Sequence, residues 1–117
     1  MNKVLIRKSG GFYAVYDDVY ILNYFFGYKI KEDRVGFPIN SINKVINVLE
    51  DNHISYEIKN EVYVDFNNRN NYKKFIDIGK KKYNLRYRVE SIINNIDKLE
   101  EDKIDSILDY IEGIYEW

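Results

Sequence analysis

The sequence predicts an α+β domain with a small mixed sheet, on three observations. Short runs rich in β-branched and aromatic residues flank turn signals at Ser9-Gly10-Gly11 and Lys59-Asn60. Between them lie stretches with apolar residues at helical spacing, and from about Tyr72 onward the chain reads as helix. The order is β-β-α-β-α-β-β followed by helices, which separates the paired strands from a terminal helical segment.

Each element has its own local reason. KVLIRK (3–8) and FYAVY (12–16) alternate like strands, and the glycine pair between them supplies positive φ at little steric cost, so a β-hairpin is expected. Asp17-Asp18 reads as an N-cap pair for an apolar helix through Val19, Leu22, Tyr24, Phe25 and Phe26, with Gly27 as its terminating glycine. YKIK (28–31) alternates as a third strand, and DRVGFP (33–38) follows as a turn with a brief extended piece. Ser41 is placed to cap a second helix whose Ile42, Val45, Ile46 and Leu49 form one buried stripe, closed at Asn52-His53. SYEIK (55–59) and EVYVDF (61–66) make a second hairpin with Tyr56, Ile58, Val62 and Val64 inward. NNRNN (67–71) is a polar break.

Beyond it, helices are expected over about 72–99 and 104–115, the second capped by Asp102 with Asp105 at N3. Val89-Ile92-Ile93-Ile96-Leu99 and Ile104-Ile107-Leu108-Ile111-Ile114 repeat one spacing, 3,1,3,3, which suggests an αα-hairpin. The expected division is a core over 1–68 and a helical extension over 69–117 packed on it as one structural unit.

At 117 residues with 45% hydrophobic and 32% charged residues, the composition is globular and soluble. No apolar run approaches the ~18 residues that span a bilayer, and the N-terminus lacks the apolar core of a signal peptide, so no membrane partner and a cytoplasmic location are expected. The absence of cysteine removes disulfides and thiolate metal sites. A net charge of −1 conceals a segregation: residues 59–88 carry nine basic and three acidic side chains, residues 89–117 two basic and nine acidic. Such asymmetry points to a directed interaction, with an anion or between the segments.

The run KSGGFYAVYDD (8–18), with a helix, a strand, GFP (36–38) and a second helix after it, resembles the N-terminal mismatch-recognition domain of the DNA mismatch-repair protein MutS. It is also similar in length to small standalone proteins of that kind from low-GC bacteria or phage, as the Ile-, Asn-, Lys- and Tyr-rich composition suggests. The resemblance covers about 8–59. It implies that Phe12 stands where that family wedges a phenylalanine beside a mispaired base, in duplex kinked by partial unstacking. The family's glutamate position is Ala14, which has no side-chain hydrogen-bonding group, and the ATPase regions have no counterpart here.

An independent signal is the basic, aromatic-interleaved stretch 69–88. Lys8, Arg69, Lys73, Lys74, Lys80, Lys81, Lys82, Arg86 and Arg88 are candidate phosphate contacts, and Phe12 is a candidate stacking residue. Tyr72, Phe75, Ile76, Tyr83 and Tyr87 fall near one helix face and are expected to pack on the sheet. The expected partner is DNA or another nucleic acid, bound by a non-enzymatic module without cofactor. The alternative is a protein-interaction or inhibitory module, of phage or mobile-element type, acting through the acidic helices. Ile104, Ile107, Ile111 and Ile114 would then form its docking stripe, for a protein partner or a second copy in a homodimer. Catalysis finds little: His53 is the one histidine and sits at a helix-to-strand junction, and Glu57-Ile58-Lys59 is an E-x-K match of a kind that nine Glu and thirteen Lys supply by chance about once. No metal site is expected.

Overall fold

The computed structural model describes residues 2–115; Glu116, counted in the acidic run, lies outside them. The chain forms two compact units that divide between Tyr83 and Asn84. The class is α+β, with four helices and a five-stranded mixed sheet among the described residues.

In the first unit, β1 (Val4–Ser9) and β2 (Phe12–Val15) form the expected hairpin, with Ser9 opposite Phe12. Gly10 has φ 60°, which places the positive-φ residue first in the two-residue loop and follows the right-handed strand twist. The sheet order is β3-β2-β1-β4-β5, with β1 parallel to β4 and the other pairs antiparallel. β4 (Tyr56–Ile58) and β5 (Val62–Val64) are the second hairpin, turned at Asn60 with φ 68°. α1 (Val19–Phe26) ends at left-handed Gly27, whose N–H donates to the Asn23 carbonyl at 2.8 Å. α2 (Ile42–Asp51) presents Val45 and Leu49 to the core, with Ile42 and Ile46 half-buried beside them.

Register decides the two faces of this sheet. Val4, Ile6, Tyr13, Val15, Val35, Phe37, Tyr56 and Ile58 share the face that α1, α2 and Tyr72 cover, and all are buried. Fully burying each Val, Ile or Phe side chain contributes about 1.5–3 kcal/mol, so this one layer supplies the unit's cohesion. Tyr56 extends it to a polar tip, donating its hydroxyl to Glu50 Oε1 at 2.6 Å. Burial, with the Glu50 carboxylate second, pushes that phenol up to about 12.

Four expectations for the first unit change. The third strand is not YKIK: β3 is Val35–Pro38, while Tyr28 and Ile30 pack half-buried against the core outside any strand. Val35 and Phe37 can pair with β2 and bury on one face, and the chain reverses before them in a two-residue turn at Glu32-Asp33. Asp18 occupies the N-cap position without capping, because its carboxylate points into the core instead. Ser41 likewise makes no cap bond, since a 3-10 turn over Ile39–Ser41 leads into α2. Val62 is exposed at the turn end of edge strand β5, while Val64 on the same face is half-buried against the core.

α3 spans Arg69–Asn95, earlier at both ends than expected, and a 3-10 turn at Ile96–Lys98 follows. In the first unit it contributes buried Tyr72 and half-buried Phe75, Ile76 and Tyr83 to the packing. Gly79 is buried because α3 passes directly over the α1 backbone at Tyr20. Tyr87 does not join the packed face: it is 66% exposed and lies past the division between the units.

The second unit holds the end of α3 and α4 (Glu101–Tyr115). α4 begins before Asp102, with the Lys103 and Ile104 N–H groups donating to the Glu100 carbonyl, so Asp102 sits in its first turn and does not cap it. No described residue of this unit is buried, and the two aliphatic stripes do not seal each other as an αα-hairpin would require.

Candidate nucleic-acid interface

The question posed by the glycine pair is whether Phe12 belongs to the core. It does not. Phe12 is 57% exposed, whereas the next residue, Tyr13, is buried against Phe37 with ring centroids 5.8 Å apart. Strand parity explains the difference: Tyr13 and Val15 face the helices, and Phe12, Ala14 and Tyr16 face the opposite side. On that side no helix of the first unit lies over the sheet, and Arg7, Phe12, Gly36 and Tyr63 are all exposed.

Two depressions mark this open face. A groove of about 390 Å³ is walled by Phe12, Ala14, Gly36, Lys29, Lys31 and Arg34, with Ser9 and Tyr13 contributing at its floor. A second, of about 310 Å³, is walled by Leu5, Arg7, Tyr16 and Asp17. They adjoin along the β1–β2 register, where Arg7 lies opposite Ala14. The two depressions together are lined by two exposed aromatic rings and four cations against one carboxylate, Asp17.

The loop that carries three of those cations is held by its backbone. Lys31 and Arg34 exchange N–H···O=C bonds of 2.9 and 3.0 Å across the turn, so the two cationic residues stand side by side. Glu32 and Asp33 at its tip have φ of 53° and 58°, the left-handed region that costs a non-glycine residue roughly 1–2 kcal/mol. Residues held in that region persist only where the surroundings over-determine them, and they cluster at functional sites. Asn23 fastens the loop's start, donating its amide to the Tyr28 carbonyl at 2.9 Å. Lys29, Lys31 and Arg34 were not singled out by the sequence, because they are scattered singly along a segment that reads as strand.

The residues that the sequence did single out are divided by the fold. Arg69, Lys73, Lys74, Lys80, Lys81 and Lys82 are exposed on α3 in the first unit, and Arg86 and Arg88 are exposed in the second. Among the described residues none of the eight forms an ion pair; Lys82 lies over the Tyr24 ring at 5.3 Å and Lys74 over Phe75 at 5.3 Å. From Lys73 to Lys82 the α3 set rides on the helical layer, on the other side of the sheet from Phe12, whereas Arg69 lines a depression of about 240 Å³ with Lys3 and Tyr63. Lys8 is exposed at the end of β1, opposite Tyr13 and hence on the helix-side parity.

The E-x-K residues and the histidine have structural partners. Glu57 accepts from Lys3 Nζ at 2.5 Å, and Lys3 also lies over the Tyr63 ring at 4.3 Å. Lys59 is exposed at the second turn. His53 adopts φ 53° after α2 and meets Phe66 edge-on at 5.4 Å. Among the described residues no three His, Asp or Glu side chains gather as a metal cage, and no helix is long and apolar enough to cross a membrane.

Beneath the sheet lies a polar link that sequence reading missed. Asp18 is 1% exposed, and its Oδ2 accepts the Leu5 N–H at 3.1 Å while its Oδ1 accepts the Tyr72 hydroxyl. One carboxylate thus joins β1, the start of α1 and α3. Burial raises the Asp18 carboxyl above its ordinary range, against the opposing pull of these two donors. The Tyr72 phenol is raised too, by burial and then by donating to Asp18.

No protein-family model, curated protein or solved structure matches this chain.

Proposed function

We propose that the protein is a non-enzymatic nucleic-acid-binding module that engages DNA through the open face of its sheet. The observation that carries this reading is the exposed Phe12 ring at the wall of a groove bearing Lys29, Lys31 and Arg34. An aromatic face stacks on any base, contributing about 1–3 kcal/mol per base, while adjacent cations release counterions from the phosphate backbone. A ring carried on a hairpin strand keeps little conformational freedom to lose on binding, because its backbone is already fixed by ladders on both sides.

The resemblance of residues 8–18 to the mismatch-recognition segment of MutS supports the same ring as the base-contacting group. Ala14, at the position of that family's glutamate, is 4% exposed and has no polar side-chain atom. Binding on this reading therefore rests on stacking and charge, without a side-chain hydrogen bond to the base from that position.

The test is a salt titration of affinity for single-stranded, matched and mismatched DNA. Three groove cations imply a log–log salt slope of about −2 to −3, and Phe12→Ala lowers affinity about 10- to 100-fold at fixed salt. An affinity that ignores both salt and Phe12 overturns the proposal.

A further inference from the structure

The second unit has a feature that nucleic-acid binding leaves unused. Across its described residues none is buried, although the end of α3 carries Val89, Ile92 and Ile93, the turn after it Ile96 and Leu99, and α4 aliphatic side chains in the same 3,1,3,3 spacing. On α3, Val89, Ile92 and Ile93 are each more than half exposed; on α4, Ile111 and Ile114 are 38% and 57% exposed, and Ile104 and Ile107 are half-covered. A segment of some 34 residues lies below the ~40 at which chains usually need oligomerisation or another staple to hold a core.

We infer that these stripes are the interface of a homodimer, in which the second unit of one chain packs against that of a second copy as a four-helix arrangement. Three observations select a second copy over an unrelated partner. First, the α4 stripe repeats the 3,1 spacing of Val89, Ile92 and Ile93 on α3, so each chain offers an aliphatic surface of the kind that it needs, the condition for a two-fold interface. Second, eight aliphatic residues of 84–114 are 38–61% exposed, together an apolar surface on the order of the ~800 Å² per partner of a standard stable interface. Third, the borders of the stripes differ in net charge. Arg86 and Arg88 flank the α3 stripe with Glu90 beyond Arg86, Glu101, Asp105 and Glu112 border that of α4 on one side with Lys103 on the other, and none of these is in an ion pair among the described residues.

Laying α3 of one chain along α4 of the other joins apolar to apolar and cation to carboxylate. Bundles of this kind pack helices about 20° from antiparallel around an apolar seam. The charged borders set which helix faces which, while the aliphatic surface supplies the affinity.

Sedimentation equilibrium of the full chain across micromolar to hundred-micromolar concentrations tests this. The expected mass is twice the 14.1 kDa of the chain. The double variant Ile107→Asp/Ile111→Asp should weaken association at least ~100-fold, since it places charge where water is excluded. Asp109→Asn, on the polar side of α4, should leave the mass unchanged, and near-ultraviolet dichroism of the tyrosines should show the first unit still folded in both variants. A monomer for the native chain at the highest concentration overturns the proposal. So does a dimer that survives Ile107→Asp/Ile111→Asp, because its interface then lies elsewhere.

Discussion

Two identical substitutions, Gly79→Ala and Gly113→Ala, should move stability in opposite directions. Both glycines sit inside helices, where alanine is favoured by about 1 kcal/mol through backbone entropy alone. At Gly113 a Cβ would meet nothing within 4 Å, so the full gain is available and α4 helicity should rise. At Gly79 a Cβ would stand 2.4 Å from the Tyr20 carbonyl oxygen and 3.0 Å from its carbon, where ordinary contact begins at 3.4 Å. Backbone cannot rotate out of the way as a side chain can, so α3 must retreat from α1 by about 1 Å, a displacement of the kind that overpacking penalises by 1–3 kcal/mol. The retreat also pulls Tyr72 from Asp18 and Tyr83 from Tyr20, whose rings meet edge-on at 5.5 Å. Loosening the buried charged hydrogen bond costs about 1–3 kcal/mol more. The net expectation after subtracting the propensity gain is a loss of about 1–5 kcal/mol. That corresponds to a fall in Tm of about 4 °C or more, at about 4–8 °C per kcal/mol for a unit of this size. Thermal melts followed by circular dichroism read both variants. If Gly79→Ala is as stabilising as Gly113→Ala, α3 does not approach α1 as described and the packing argument fails.

Asp18 makes stability depend on pH. The folded chain holds its proton more tightly than the unfolded chain, so the stability it contributes is full below the ordinary carboxyl value of 3.8 and is lost as pH rises through the raised folded value. Asp18→Asn should flatten that dependence in melts taken from pH 4 to 8. Tyr72→Phe removes a donor to the carboxylate and should cost about 1.5–3 kcal/mol, more at pH 8 than at pH 5; a loss equal at both would refute the link. Glu32→Gly should stabilise by roughly 0.5–1 kcal/mol in chemical denaturation, since glycine adopts the left-handed conformation freely. In DNA titrations, replacing Lys29, Lys31 and Arg34 with Ser should flatten the salt slope by about 2–3 and abolish the Phe12 effect. The same change at Lys80, Lys81 and Lys82 should leave the Phe12 effect in place, because those residues ride on the other side of the sheet.

Local chemistry carried most of the element order. Gly10-Gly11 and Lys59-Asn60 mark turns because few residues adopt positive φ cheaply, and Val45 and Leu49 mark a buried helix face because a 3.6-residue period cannot serve a strand. The third strand was displaced because YKIK and VGFP are both short alternating runs, and only the pairing of Val35 and Phe37 beside β2 chooses between them. Asp18 read as a cap for the same reason: an aspartate ahead of a helix has a local use, and its distant partner Tyr72 lies 54 positions away.

The sequence alone settled the class, the two hairpins, the charge segregation and the presence of an aromatic ring beside a glycine turn, since each depends on neighbours a few positions apart. Tertiary structure alone decided which face that ring occupies, which cations stand beside it, and that the lysine-rich helix lies on the other side of the sheet. Those outcomes follow from strand pairing and from which sheet face the helices cover, and both join residues that are remote along the chain.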